Sequence, residues 1–240
     1  MLRKFAHSSL LPVLLPVLLI SAACGGTKAF DQAADPSASE AAPAETVVVA
    51  PDSTQNDLQE MVVVPGERVG PVTPTTSRTE LAQLFGEDQL KDEEINVGEG
   101  FTEPGTVVDL GEDRRFTVVW TDTTRSKPLM AKDFGSAWKT PEGLGLGTSM
   151  AELKQELGDF DLYGFGWDYG GSIVLEDTAL DQYHGDLFLR VRPSQAAIEQ
   201  HREAYEAVVG DAVFESADPH MEPLEPVVYD MTVYLNPLGS

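Results

Sequence analysis

TSMAELKQELG, residues 148–158, repeats TSRTELAQLFG, residues 76–86, seventy-two residues further along, with six of eleven positions identical. The identical positions share a mechanism. Ser77 and Glu80, like Ser149 and Glu152, spell the S-x-x-E capping box: the serine side chain accepts from an orphan helical N–H while the glutamate reaches back to the N–H of the cap residue. Gly86 and Gly158 stand where a short helix needs a left-handed stop. Strand-like sequence follows each copy, so the pattern predicts a duplicated helix-plus-sheet unit.

The first unit is expected over residues 76–127. Its helix leads into an acidic turn at 87–94, then residues 95–97 and a glycine-rich loop, GEGFTEPG, at 98–105. Strands follow at 106–110 and 114–121; in the second, Phe116, Val118 and Trp120 alternate with Thr117, Val119 and Thr121, the period of a half-buried strand. A linking segment, 127–141, carries Phe134 and Trp138. The second unit, 145–192, repeats the plan with extended segments at 162–169, 172–176 and 186–192. GTVVD at 105–109 and GSIVL at 171–175 occupy comparable places. A third helix is expected over 195–209, with Ser194 at its start, Gly210 past its end and an uneven stripe of Ala197, Ile198, Tyr205, Val208 and Val209. An alternating strand at 227–235 completes the chain. The fold class is therefore α+β: two tandem units forming one antiparallel sheet, helices packed on one face and the opposite face free to bind.

The N-terminus has the grammar of a secretory leader. Arg3 and Lys4 precede an apolar run at 10–20 that is too short to span a bilayer, and Ser21-Ala22-Ala23 is a small-residue cleavage site. Cys24, the single cysteine of the 240 residues, follows that site and rules out an internal disulfide. Its position resembles the lipobox of bacterial lipoproteins, in which the cysteine is lipidated, with Ser21 in place of the usual leucine. Ordinary cleavage after Ala23 is the alternative. Gly25 and Gly26, with no aspartate behind the cysteine, point to the outer membrane of a cell that has one. The expected organisation is a signal peptide at 1–23, a lipidated Cys24 with a disordered tether to residue 75, and a globular domain over 76–240. The tether is rich in Ala, Pro, Ser and acids; TVVVAP at 46–51 and MVVVP at 61–65 are either tether segments or edge strands added to the domain.

The formal charge is −24. Cleavage removes two of the 16 basic residues, for a mature charge of about −26. Such a surface repels phosphate backbones, excluding nucleic acid and anionic lipid as partners, and is suited to salty surroundings or to a basic protein. Residues 145–158 match the G-x-[ST]-x-x-[EQ]-[LV]…LG element of the β-lactamase inhibitor protein fold and of outer-membrane assembly lipoproteins of the SmpA/OmlA type. Residues 76–86 match it with Pro74 and Thr75 replacing the leading glycine. The stretch 76–235, with GFGWDYGG at 164–171, also resembles an uncharacterised family of bacterial secreted lipoproteins. The resemblance implies the fold and a binding role; the inhibitor's paired cysteines are absent.

LYGFGWDYGG, residues 162–171, is the most unusual local sequence. As a strand it places Tyr163, Phe165, Trp167 and Tyr169 on one face and nearly bare backbone on the other. The aromatics either line the core beneath the helices or form an exposed platform for protein or sugar recognition. Asp168 and Glu99 occupy corresponding loops and are candidate turn caps or a carboxylate pair. Asp159 and Asp161 open a calcium-loop pattern that Tyr163 and Gly170 break, and His184, His201 and His220 stand in no metal spacing, so no metal or cofactor site is read. No nucleophile elbow, P-loop or dinucleotide fingerprint is present. The sequence thus predicts an extracytoplasmic, lipid-anchored, monomeric and non-catalytic binding protein of the cell envelope, acting through protein interaction, inhibition or envelope assembly. The candidate binding residues are Tyr163, Phe165, Trp167, Asp168 and Tyr169. Small-ligand or carbohydrate binding by the aromatic-glycine stretch is the alternative, and an acidic hydrolase using Asp168 and Glu99 the remaining one.

Overall fold

Both capped helices form. In α1 (Arg78–Phe85) the Ser77 N–H donates to Glu80 Oε2 at 2.7 Å and the Glu80 N–H donates to Ser77 Oγ at 3.3 Å. In α2 (Met150–Leu157) Ser149 and Glu152 reproduce the same two distances. Gly86 and Gly158 end the helices at φ 89° and 79°. Two turns of helix are too short to be stable alone; the stabilisation comes from Leu81, Leu153 and Leu157, all buried in the main core. The computed structural model describes residues 61–237, which fall within one compact unit. The expected signal peptide, Cys24, the 46–51 patch and the expected tether as far as residue 60 lie outside the described residues.

The chain is mixed α+β, mostly antiparallel sheet with few helices. A small hairpin joins β1 (Val63–Val64) to β2 (Arg68–Val69). The next strands are β3 (Leu90–Gly98), β4 (Phe101–Val108), β5 (Phe116–Trp120) and β6 (Pro128–Lys132). After α2 come β7 (Asp161–Tyr163), β8 (Ile173–Val174) and β9 (Leu187–Arg192), then α3 (Gln195–Gln200), α4 (Arg202–Ala207), β10 (Val213–Glu215) and β11 (Val227–Tyr234). One six-stranded sheet runs β3-β4-β5-β6-β11-β9 and a three-stranded sheet runs β10-β7-β8. The Ser172–Arg190 bridge joins the second sheet to the edge of the first.

Phe116, Val118 and Trp120 project from one side of β5 into the main core. Phe116 is its aromatic hub, with Trp138 at 4.9 Å and Phe85 at 5.7 Å edge-on, and Phe134 stacked at 6.2 Å. Each such pair adds about 0.5–1.5 kcal/mol beyond burial. Val119 projects to the other side, into a smaller cluster with Ile95, Leu129 and Met130.

Several expectations are corrected. Residues 61–75 belong to the folded body rather than the tether: Val63, Val69 and Val72 are fully buried in the main core, and the MVVVP patch supplies β1. The acidic stretch 90–94 is strand, not turn. It lies on an edge of the six-stranded sheet, where charged side chains are tolerated and discourage further pairing. The glycine-rich loop shrinks to a tight hairpin, and Pro104 within β4 sits just beyond the pairing with β5, which begins at Gly105. β5 is buried on both faces instead of one, because β4 and β6 flank it and each side has its own apolar cluster. The linking segment contains β6. The third helix breaks in two at His201, whose φ/ψ of −121°/45° leaves the helical region. The 162–169 strand stops at Tyr163: Gly166 and Gly171 adopt φ 88° and 75°, which turns the chain back on itself, so Phe165 leaves the expected row for the core while Tyr163, Trp167 and Tyr169 pack edge-on in succession within the turn.

Candidate functional site

The second face of the six-stranded sheet carries a groove of about 570 Å³. Strand parity builds its floor. Along β9, Leu187, Leu189 and Val191 face the core, which leaves Phe188 and Arg190 outward; along β11, Asp230, Thr232 and Tyr234 oppose Met231 and Val233 in the same way. Met130 and Lys132 of β6 complete the floor. The rim is made by two loops. The β3–β4 hairpin turns through Gly98, Glu99 and Gly100, all at positive φ, and carries Phe101. The aromatic-glycine turn brings Asp168 and Tyr169 from the other side.

Cations brace both loops. Lys132 Nζ donates to Asn96 O at 3.1 Å, steadying the hairpin, and Arg190 Nε and Nη2 donate to Gly170 O at 3.3 and 3.2 Å, steadying the turn. Asp230 lies on the strand between those carrying Lys132 and Arg190. Burial pushes its carboxyl up, against the pull of Lys132 and Arg190, while Asp133 adds to the rise. Across the rim, Tyr169 Oη donates to Glu99 Oε1 at 2.6 Å, and this hydrogen bond raises the phenol above its ordinary range.

The groove is lined by aromatics from different elements. Phe101 is 66% exposed, Tyr169 51% and Phe188 48%, and Phe188 meets half-buried Tyr234 edge-on at 5.5 Å. Tyr169 is among the residues expected from the sequence; Phe101, Phe188 and Tyr234 are not. Outward parity was the signal available for Phe188, since a large aromatic alternates there with buried leucines in LFLRVR.

The remaining nominated residues divide between core and surface. Phe165, at 3% exposure, is a core residue stacked on Tyr205. Tyr163 and Trp167 are half-buried and packed edge-on, with the Trp167 indole donating to Gly164 O at 2.9 Å. Gly164 has Gly210 O, Val208 O and the Phe214 ring where a Cβ would stand, so its bare backbone receives the chain itself rather than a ligand. Asp168 and Glu99 do line one groove, but both are exposed, and Glu99 accepts from Tyr169. Neither occupies the apolar surroundings that make a carboxyl a general acid.

Glu87 and Asp92, in the acidic stretch, pair with Arg78, and Asp92 also with Arg125, at 2.8–3.0 Å. Among the described residues no group of three or more His, Cys, Asp or Glu could hold a metal ion. A separate cavity of about 600 Å³ beside α2, walled by Met150, Pro219 and Pro226, gathers none of the nominated residues. In comparisons with known proteins, no family model, curated protein or solved structure matches the chain.

Proposed function

We propose that this chain is a non-catalytic, lipid-anchored envelope protein that docks another protein on the second face of its six-stranded sheet. The observation that carries the reading is the convergence of Phe101, Tyr169, Phe188 and Tyr234, from four different elements, on one groove. Large rigid side chains at the surface lose little entropy on binding and dominate interface energetics. The rim is acidic: Glu93 and Glu103 share the face of Ile95 by strand register, and Glu99 and Asp168 stand over the groove. A basic partner with apolar side chains complements this surface, and the net charge of −24 speeds its approach.

The two halves read as copies of one unit, α1-β3-β4-β5-β6 and α2-β7-β8-β9-β11. Pairing supports this: Thr106 follows Gly105 and faces Val118 in the first half, and Ser172 follows Gly171 and faces Arg190 in the second. Antiparallel pairing of β6 with β11 supports reading the halves as neighbours in one sheet. The resemblance to the β-lactamase inhibitor protein fold and to SmpA/OmlA-type lipoproteins points the same way.

The test is site-specific photo-crosslinking in cells that express the full chain. Crosslinkers replacing Phe101, Tyr169 or Phe188 are expected to capture one basic partner, and crosslinkers at Glu199 or Glu206 on the helices are not. Equal capture from both sets, or none from the first, overturns the reading, and capture of a second copy of this chain would replace the partner with self-association.

A further inference from the structure

On the other side of the aromatic-glycine turn lies a second groove, of about 670 Å³, built around a β-bulge. The β11–β9 register pairs Val228 with Val191 and Asp230 with Arg190, which leaves Tyr229 as the extra residue. A bulge re-aims the side chain it carries. Here the Tyr229 ring lies under two guanidinium groups: Arg192 at 4.5 Å from its centroid and Arg190 at 5.5 Å. Trp167, Tyr205 and Ile198 wall the groove.

The two arginines are not equivalent. Arg190 is fixed by its two hydrogen bonds to Gly170 O and is set against the carboxyl of Asp230. Arg192 is exposed, and its guanidinium makes no side-chain hydrogen bond or ion pair among the described residues. The phenol beneath does not neutralise it. Burial holds Tyr229 above its ordinary range, the two arginines pull it down and Asp230 pushes it up, and the net result is a neutral ring at physiological pH. In a chain with 40 acidic residues, an unpaired guanidinium held over an aromatic floor, between aromatic walls, is a surface shaped for an anion. Asp168 also lines this groove and disfavours a second negative charge on whatever enters.

We infer that the Tyr229 bulge forms a binding site for a small ligand with one carboxylate and a flat apolar body. The carboxylate pairs with Arg192, and the body lies against Trp167 and Tyr205. The site opens on the other side of the turn from the sheet-face groove, with which it shares only Asp168 and Arg190, and its ligand contacts through Arg192, Trp167 and Tyr205 do not depend on protein docking.

The test uses 4-hydroxyphenylacetate as the probe, followed by backbone amide chemical shifts of the folded chain. Saturable shifts confined to residues around Arg192, Tyr229 and Trp167 are expected, with a dissociation constant of about 1 mM for so small a ligand. Arg192→Gln is expected to weaken binding about tenfold or more, since it removes a charge-assisted pair, whereas Arg192→Lys retains part of it. Arg202→Gln, a matched loss of charge on α4, is expected to leave binding unchanged. The amide spectrum of each variant reports its fold directly. Acetate, lacking the flat body, is expected to bind at least about tenfold more weakly, and inorganic phosphate not to saturate in the same range. Absence of saturable shifts, equal affinity in Arg192→Gln, or equal affinity for acetate would each overturn the assignment.

Discussion

The hydroxyl of Tyr169 donates to a carboxylate oxygen of Glu99 at 2.6 Å, although the two residues are 70 apart in the chain. The contact ties the tip of the β3–β4 hairpin to the aromatic-glycine turn and closes one end of the sheet-face groove. Glu99 holds a left-handed φ of 50° between two glycines that also have positive φ, a backbone that aims its carboxylate outward from the hairpin.

This pair has a titration signature. The Tyr169 phenol is raised first by its hydrogen bond to Glu99, then by the charge of that carboxylate, because ionisation would set two anions against each other. Glu99→Gln is expected to lower the Tyr169 pKa toward the ordinary phenol range. Ultraviolet absorbance titration of wild type and variant measures it, with Tyr169→Phe identifying the Tyr169 contribution.

A chain of hydrogen bonds that starts at the buried Trp120 indole makes Thr106 sensitive. Trp120 Nε1 donates to Thr106 Oγ1 at 2.9 Å, and Thr106 Oγ1 donates to Asp92 Oδ1 at 2.6 Å. Thr106→Val keeps the shape but strands the fully buried indole N–H, at a cost of about 1–3 kcal/mol. Thr106→Ser retains the hydroxyl and is expected to cost less. Urea unfolding checks both, with the midpoint lowered and the slope unchanged.

Asp230 sets a pH dependence of known sign. Its folded pKa is raised by burial, so between the ordinary carboxylate value and the raised one the folded protein binds more protons than the unfolded chain. Stability therefore falls as pH rises through that window, and the deficit is complete above it. Asp230→Asn is expected to stabilise the protein at neutral pH, and the gain should vanish below the ordinary carboxylate range. Urea midpoints at the two pH values decide this.

Gly105 and Gly171 are expected to differ in tolerance. A Cβ on Gly171 would stand 1.9 Å from Val191 O, at a φ of 75°, with backbone that cannot yield. Gly171→Ala is expected to cost about 3 kcal/mol or more. A Cβ on Gly105 would meet chiefly the Ile95 side chain, at 2.2 Å, which can change rotamer, so Gly105→Ala should cost less. Thermal unfolding of the two variants ranks them.

What the sequence determined by itself was local. The capping boxes at Ser77–Glu80 and Ser149–Glu152, the stops at Gly86 and Gly158, and the alternation of β9 and β11 all follow from chemistry within a few residues of each position. Tertiary structure decided which strands were central, and therefore which faces were buried. β5 alternates like a half-buried strand yet is buried throughout because β4 and β6 enclose it, and residues 61–75 read as tether yet bury three valines. The same limit applied to the site. Tyr163, Phe165, Trp167 and Tyr169 share a parity, but Gly166 and Gly171 turn the chain, so Phe165 enters the core while Tyr169 reaches the surface. Phe101 and Phe188 became neighbours of Tyr169 only through strand order, and Arg192 came to lie over Tyr229 only through a bulge opposite β9. Spacing along a chain encodes which residues share a face of one element; it carries no information about which elements lie side by side, and both grooves are made between elements.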